Sequence, residues 1–288
     1  MHYLNYRDNK DNVVLGRDLF PIHRLSFITY NLYMNTLGKM ITETTLSHHE
    51  VQNLVYSDEK FDIVIIEQFV NDGLKVLAHH FQAPLVLFST CGSNSWINPL
   101  VGNPAPPTYI PEQNIIFDPR NFLDRVKNVL IYTFGLLNRN LLFFPAQNEI
   151  MKKYFPDAPD LDVLNYNVSL VLLNSHWSTN MAVPRVPNMV DIGGFHIKPP
   201  KELPPNLQKF LDEAPEGVVY FSMGSALQSS NLATEKREAL LRVFSKLKHK
   251  VLWKWEDEVL PGRPKNVQIG KWLPQQDILG MLKLLTKH

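Results

Sequence analysis

Gly217-Val218-Val219-Tyr220-Phe221-Ser222-Met223-Gly224-Ser225 is an apolar run that ends in a turn of small residues. A helix is expected after it, with Leu240, Val243, Phe244 and Leu247 at the i, i+3, i+4, i+7 spacing of one buried face. Lys250-Val251-Leu252-Trp253-Lys254-Trp255 then reads as a second strand, rich in branched and aromatic side chains. Past a turn at Leu260-Pro261-Gly262-Arg263-Pro264 come a third run, Val267-Gln268-Ile269, and the segment Lys271-Trp272-Leu273-Pro274-Gln275-Gln276-Asp277-Ile278-Leu279. Strand, small-residue turn, helix, strand feeds a parallel α/β sheet, and such sheets hold ligands at the C-terminal ends of their strands.

The same grammar recurs upstream. Phe61-Asp62-Ile63-Val64-Ile65-Ile66 is a continuous apolar run that predicts a buried parallel strand, closed by Glu67. Leu74, Leu77, Ala78 and Phe81 share a helical face, Pro84 ends that helix, and Leu85–Thr90 is the next strand. This β-α-β unit predicts parallel strands joined by a right-handed crossover. Val168–Ser175 is a further buried strand. Before the first strand, Leu25–Ile41 reads as helix, and Ser47 with Glu50 forms a capping box flanked by Leu46 and Val51. The neighbouring His48 and His49 point about 100° apart on such a helix, which favours exposed histidines over a metal site. Asp118-Pro119 predicts a helix start. Phe122, Val126, Val129, Leu130, Thr133 and Leu137 keep helical register after it, a wide apolar stripe of the kind that usually enters a core.

Composition narrows the class. The chain has 288 residues, 44% hydrophobic, with a formal net charge of +1, which suits two folded domains and gives no electrostatic case for nucleic acid. Cys91 is the single cysteine, so neither an intrachain disulfide nor a cysteine-based zinc site is available. The polar start, Met1 to Asp8, does not read as a secretory signal. Val129–Phe144, interrupted by Asn138-Arg139-Asn140, falls short of the roughly 20 apolar residues of a membrane span. Asn167-Val168-Ser169 is a glycosylation sequon at the mouth of an apolar strand, a poor place for its use. Lys198-Pro199-Pro200-Lys201-Glu202-Leu203-Pro204-Pro205 is a linker by composition, which divides the chain into 1–199 and 200–288.

Phe221-Ser222-Met223-Gly224-Ser225, with Trp272, Pro274, Gln275, Ile278 and Leu279 downstream, resembles the UDP-glycosyltransferase family, in particular the animal membrane-bound branch that includes the UDP-glucuronosyltransferases. Pro184–Asn188 and Val190–Gly194 resemble that family's approach to its interdomain linker. The resemblance implies a GT-B type fold: two Rossmann-like domains with parallel sheets, here with the start of the N-terminal domain and the later part of the C-terminal domain missing. It implies transfer of a hexosyl or glucuronosyl group from a UDP-sugar to a small lipophilic acceptor, with inversion. The UDP-sugar is a co-substrate, so neither a cofactor nor a metal is expected. A catalytically inactive relative, binding or oligomerising with complete family members, is the alternative. The complete family sits at the endoplasmic reticulum membrane.

Carried over by position, the resemblance places Glu67 where a carboxylate orients the histidine base, in a place where aspartate is commoner. Read from residue type alone, Glu67 is equally a polar residue closing a strand. No histidine matches the base itself. His2, His23, His48, His49, His79 and His80 all lack the early strand-turn context. On the donor side, Trp272 matches the indole that stacks on uracil and Gln275 the side chain that reaches the ribose. Gly224 and Ser225 match the diphosphate contacts, and Arg185 a positive residue near the same phosphates. Trp253 and Trp255 are left as core or surface residues. The helix from Phe122 gains a second reading as a wall of the acceptor site, and the end of the chain, Met281–His288, does not match the family.

Overall fold

The computed structural model describes residues 25–112, 116–180, 183–225 and 227–281. The readings of Met1–Asp8, of His2 and His23, and of the last seven residues lie outside them. The chain forms two compact units. One is Ser26–Phe195, and the other is built from His196 onward.

In the first unit, α1 (Phe27–Ser47) is capped by Ser26, whose Oγ accepts from the Thr29 amide, and α2 (His49–Val55) follows at once. Strand β1 (Val64–Glu67) leads through a 3₁₀ turn at Asp72–Lys75 into α3 (Val76–His80) and β2 (Leu85–Ser89). Then come α4 (Phe122–Asn138), a π turn at Arg139–Phe143, α5 (Phe144–Tyr154), α6 (Leu161–Leu164), β3 (Leu170–Leu173) and β4 (Met189–Asp191). The strands lie in the order β1-β2-β3-β4, every pair parallel, with Ile65 opposite Val86 and Leu87 opposite Val171. Leu87, Val171 and Leu173 are fully buried, and Leu46, Val76 and Met151 pack into the same core from the helices. Each such side chain contributes roughly 1.5–3 kcal/mol by leaving water.

Several expectations change here. Ser47 closes α1, and its Oγ bonds back to the Thr44 carbonyl. The cap of α2 is His48, whose Nδ1 accepts from the Glu50 amide, so an imidazole replaces the expected capping box. His49 is exposed beside it. Helix α4 starts at Phe122 on the cap Asn121, and Asp118 is occupied instead with Arg120. The strand expected over residues 61–66 is half-buried. Ile66 faces the core, while Ile65 is 60% exposed, because alternate residues of the strand point to opposite faces and only one face of β1 is covered by described residues.

The largest change concerns the apolar stripe of α4, which points outward: Phe122, Val126, Leu130 and Leu137 are exposed, and the buried residues are Asn128 and Asn138. The break at Asn138-Arg139-Asn140 does not interrupt the helical path, which runs from Phe122 to Tyr154 and is long and apolar enough, by length and composition, to cross a membrane. Pro145 explains the π turn before α5. It has no N–H to donate and its ring pushes aside the carbonyl four residues earlier, so one extra residue is accommodated.

The second unit contains α7 (Pro205–Asp212), β5 (Val218–Phe221), α8 (Thr234–Phe244), β6 (Lys250–Lys254), β7 (Val267–Gly270) and α9 (Gln275–Met281). Its strands are parallel in the order β5-β6-β7. The central strand β6 is covered on both faces with a period of two: Val251 and Trp253 meet Leu241, Phe244 and Val267, whereas Leu252 meets Val218, Leu207 and Ile278. Trp253 and Trp255 are core residues, with ring centroids 5.3 Å apart in an edge-to-face pair. The buried face of α8 is Leu241 and Phe244. Val243, expected inside, is exposed, and the helix ends before Leu247. That helix also starts nine residues after Ser225, past a 3₁₀ turn at Ser229–Asn231, rather than directly from the turn.

Candidate functional site

Because β5, β6 and β7 are parallel, the segments that follow β5 and β7 leave the same edge of the sheet, on either side of the end of β6. After β5, Gly224 takes φ +85°, a conformation that favours glycine, and a Cβ there would meet nothing within 4 Å. Its amide donates to Ser222 Oγ at 3.3 Å, and Ser225 is exposed beside it.

After β7 the chain turns through Lys271, Trp272 and Leu273. Gly270 makes room for this turn, since a Cβ there would stand 2.7 Å from Leu273 Cδ2. Leu273 therefore tucks against the cluster around Leu252, and Trp272 is left 76% exposed. Gln275 opens α9, and its Oε1 accepts from Tyr220 Oη at 3.2 Å. The Lys201 amide donates to Asp277 Oδ1 at 2.9 Å, and Gln276 Nε2 donates to the Lys198 carbonyl at 2.7 Å, so α9 is tied to the linker. Gly224, Ser225, Trp272 and Gln275 thus gather on one edge of one sheet. Tyr220 is a member that sequence reasoning missed. Its signal was its place inside β5, where alternate residues face opposite sides.

Glu67 and Arg185 belong to the other unit. Glu67 is exposed at the C-terminal end of β1, opposite Phe88. The turn after it is cross-braced. Asn71 Nδ2 donates to the Glu67 carbonyl at 2.9 Å, and Asn71 Oδ1 accepts from the Phe69 amide at 3.0 Å. Val70 sits at φ +50°, a strained value for a β-branched residue. The Gln147 amide holds this turn from α5. Its Nε2 donates to the Val70 carbonyl at 3.4 Å, while Oε1 accepts from the Gly73 amide at 3.0 Å and from Thr42 Oγ1 at 2.7 Å.

Beneath lies a buried ion pair. Lys75 Nζ is 2.6 Å from Asp72 Oδ1 and 2.7 Å from Asn165 Oδ1, and both charged side chains are within 1% of full burial. Asp72 also accepts from Gln68 Nε2 at 3.0 Å and from Trp96 Nε1 at 3.4 Å. Burial pulls the Lys75 pKa below its ordinary value, and the Asp72 carboxylate opposes that shift. Nothing in the linear pattern signals this pair, because Asp and Lys three residues apart usually mark an exposed helix face.

Arg185 is engaged within its own unit. Its Nη1 pairs with the Asp191 carboxylate at the end of β4, whose other oxygen accepts from Ser175 Oγ. Burial lowers the Arg185 pKa from its ordinary value. On the outer side of α4, Thr108, Phe122, Arg125, Val126, Val129 and Leu130 line a shallow cavity of about 280 Å³. Among the described residues no group of three or more His, Cys, Asp or Glu side chains is placed to hold a metal ion.

A sequence model of the UDP-glucoronosyl and UDP-glucosyl transferase family matches residues 21–284. UDP-glycosyltransferase UGT5 of Dactylopius coccus is 38% identical over 243 residues, which are 83% of this chain and 46% of that protein. The rat 2-hydroxyacylsphingosine 1-beta-galactosyltransferase is 33% identical over 77% of this chain and 40% of its own length. The chain therefore spans about half the length of the curated relatives it matches. A solved UDP-glucosyltransferase from Polygonum tinctorium superposes with a TM-score of 0.49 at 16% identity, covering 85% of this chain and 56% of that one.

Proposed function

Since the chain belongs to the UDP-glucoronosyl and UDP-glucosyl transferase family, we propose that it forms part of a GT-B glycosyltransferase that moves a hexosyl or glucuronosyl group from a UDP-sugar to a small lipophilic acceptor. In this reading residues 1–199 serve the acceptor and residues 200–288 the donor. The uracil stacks on the Trp272 indole, and the ribose hydroxyls meet Gln275. Tyr220 donates to the Gln275 carbonyl oxygen, so the Gln275 amide is turned with its N–H groups free to donate. The Gly224 turn offers open backbone and the Ser225 hydroxyl to the diphosphate.

The reaction breaks the bond between the sugar's anomeric carbon and the diphosphate oxygen. The acceptor oxygen attacks from the opposite face, its proton passes to a base, and UDP departs with the bonding pair. Glu67 orients that base through a hydrogen bond to its far nitrogen, which fixes the tautomer that can take the proton.

The observation that carries this reading is the exposure of Trp272 at the sheet edge, on the same edge as the Gly224 turn, while Trp253 and Trp255 are buried. UDP titrated calorimetrically against the chain tests it. Trp272→Ala is expected to weaken UDP binding by about five-fold to a hundred-fold, the worth of base-on-aromatic stacking, with the thermal midpoint nearly unchanged. Trp253→Ala is expected to cost roughly 3–5 kcal/mol of stability instead. A Trp272→Ala chain that binds UDP as tightly as the parent ends the assignment.

A further inference from the structure

We propose that Trp177 is a stacking platform for a pyranose ring, a carbohydrate site just past the C-terminal end of β3. Its side chain is 80% exposed, and its indole N–H has no partner among the described residues. A singly exposed aromatic needs no explanation by itself. This one stands on a loop that is tied down at nearly every residue, and that combination points to a ligand.

The ties come from both neighbouring strands and from within the loop. The Asn174 amide donates to the Ser89 carbonyl at 2.8 Å, and Asn174 Nδ2 to the Thr90 carbonyl at 3.3 Å. Ser175 is buried, with its Oγ bonded to the Asp191 carboxylate. The Gly193 amide donates to the Ser175 carbonyl at 3.0 Å. A Cβ on residue 193 would stand 2.6 Å from that oxygen, so the approach requires glycine. The Thr179 and Asn180 amides both donate to the His176 carbonyl at 3.0 Å, which closes a turn directly beyond Trp177. Exposed loops are ordinarily the mobile parts of a unit. Here the backbone under the indole is already ordered, so a ligand loses little by ordering it.

His176 supplies the second half of the site. Its ring leans on the indole, with centroids 5.2 Å apart and planes 33° from parallel, so one face of Trp177 is braced and the other is open. Ser178 donates to His176 Nδ1 twice, from its amide at 3.2 Å and from its hydroxyl at 2.6 Å. Nδ1 is therefore the acceptor nitrogen. The ring's hydrogen sits on Nε2, which has no partner among the described residues. Two free N–H donors thus stand beside an open aromatic face.

That chemistry identifies the ligand. A β-glucopyranoside carries axial C–H bonds on a ring face, which lie against an indole, and hydroxyls around its rim, which accept from N–H donors. The neighbours Asn174, Ser178, Thr179 and Asn180 are exposed and polar. A lipophilic aglycone takes a concave apolar pocket, and the tryptophan anchor of a protein interface takes a surround that excludes water. This polar loop offers neither. The place agrees as well, because parallel sheets bind ligands at the C-terminal ends of their strands, and β3 ends on the same edge as Glu67, two strands away. The inference shares a sugar with the proposed function but does not require UDP to bind at Trp272.

Saturation-transfer NMR titrations of the full chain with methyl β-glucoside test it, with sorbitol as an open-chain polyol that has no ring face. The glucoside is expected to bind with a Kd of about 1 mM, with saturation strongest on the axial hydrogens of one face, and sorbitol is expected not to bind. Trp177→Ala should weaken the glucoside by roughly two- to tenfold, the worth of one aromatic contact, and Trp177→Phe should recover part of that loss. The side chain is mostly in solvent, so the thermal midpoint and the affinity for UDP should match the parent. A chain that binds the glucoside through Trp177 and ignores UDP supports this inference while ending the uracil assignment. UDP-glucose separates two sources of the ring. Displacement of the glucoside by UDP-glucose, where UDP displaces nothing, assigns the platform to the sugar in transfer; binding of both together assigns it to a sugar already on the acceptor, and either supports the proposal. A parent chain that does not bind the glucoside overturns it. So does a chain that binds sorbitol equally, or a Trp177→Ala chain that binds the glucoside as the parent does. If naphthol binds through Trp177 and the glucoside does not, the platform serves the aglycone and the carbohydrate reading is wrong.

Discussion

A valine and a lysine carry most of the tension around Glu67. Val70 holds a left-handed backbone that a branched side chain adopts only under compulsion, and Lys75 keeps a charge where water does not reach. The compulsion comes from a hydrogen-bond network that draws in Thr42, Trp96, Gln147 and Asn165 from separate parts of the unit, so the carboxylate at the end of β1 stands on a turn with little freedom. Lys75→Met alone leaves Asp72 buried with its counter-charge gone, and is expected to cost roughly 3–5 kcal/mol in a urea melt. Combining it with Asp72→Leu should recover part of that loss, since no bare charge remains. If the single and double variants unfold alike, the ion pair contributes no more than its packing. The donor-side residues follow a different logic. Trp272 is exposed because Gly270 and Leu273 settle the turn beneath it, and its identity was legible from the motif, whereas its exposure depends on contacts that no linear pattern contains.

Among the elements, strands were the most readable. The runs at residues 85–90, 168–175, 217–222 and 250–255 became β2, β3, β5 and β6, because unbroken branched and aromatic residues have few other uses. Burial was less readable than existence. Periodicity showed that α4 has an apolar stripe, but the stripe's direction was set by Asn128 and Asn138 finding partners inside the unit. The same limit applies to β1, whose alternate residues part between core and solvent, and to α8, where Leu241 joins the expected Leu240 and Phe244 against the core while Val243 turns to solvent. Caps were the least readable, because His48 and Asn121 win over better-looking neighbours through local geometry. One helix end shows what local geometry can cost. The Ala83 amide reaches the Ala78 carbonyl at 3.0 Å and the Gln82 amide the His79 carbonyl at 3.1 Å, the two bonds that close a helix in a Schellman turn. The left-handed position of that turn is Gln82, at φ +50° and exposed, where glycine is at ease. Gln82→Gly is therefore expected to stabilise the chain by about 1 kcal/mol, read as a higher thermal midpoint. A fall in the midpoint would show that the Gln82 side chain, bonded to the His79 carbonyl, outweighs the relief of strain.

At the scale of the whole molecule, each unit has a core of its own, one around Leu87, Val171 and Leu173 and the other on both faces of β6. Calorimetry is expected to show two transitions rather than one. Leu173→Ala should lower one of them and Trp253→Ala the other, by the roughly 2–5 kcal/mol that large-to-small core changes cost. A single transition that both substitutions shift equally would mean the cores melt as one. The brace around Val70 has a further consequence, which concerns descent rather than folding. A side chain at Gly38 would collide with the Val70 carbonyl and stand 2.7 Å from Phe143, and one at Gly73 would meet Thr42 at 2.9 Å and Gln147 at 3.1 Å. Residues 38 and 42, residues 70 and 73, and residue 147 come from three separate parts of the chain, yet a change at any one alters what the others can tolerate. Mutations at these positions are expected to be harmful singly and acceptable in combination, so this corner of the protein changes in coordinated steps while its surface drifts one residue at a time.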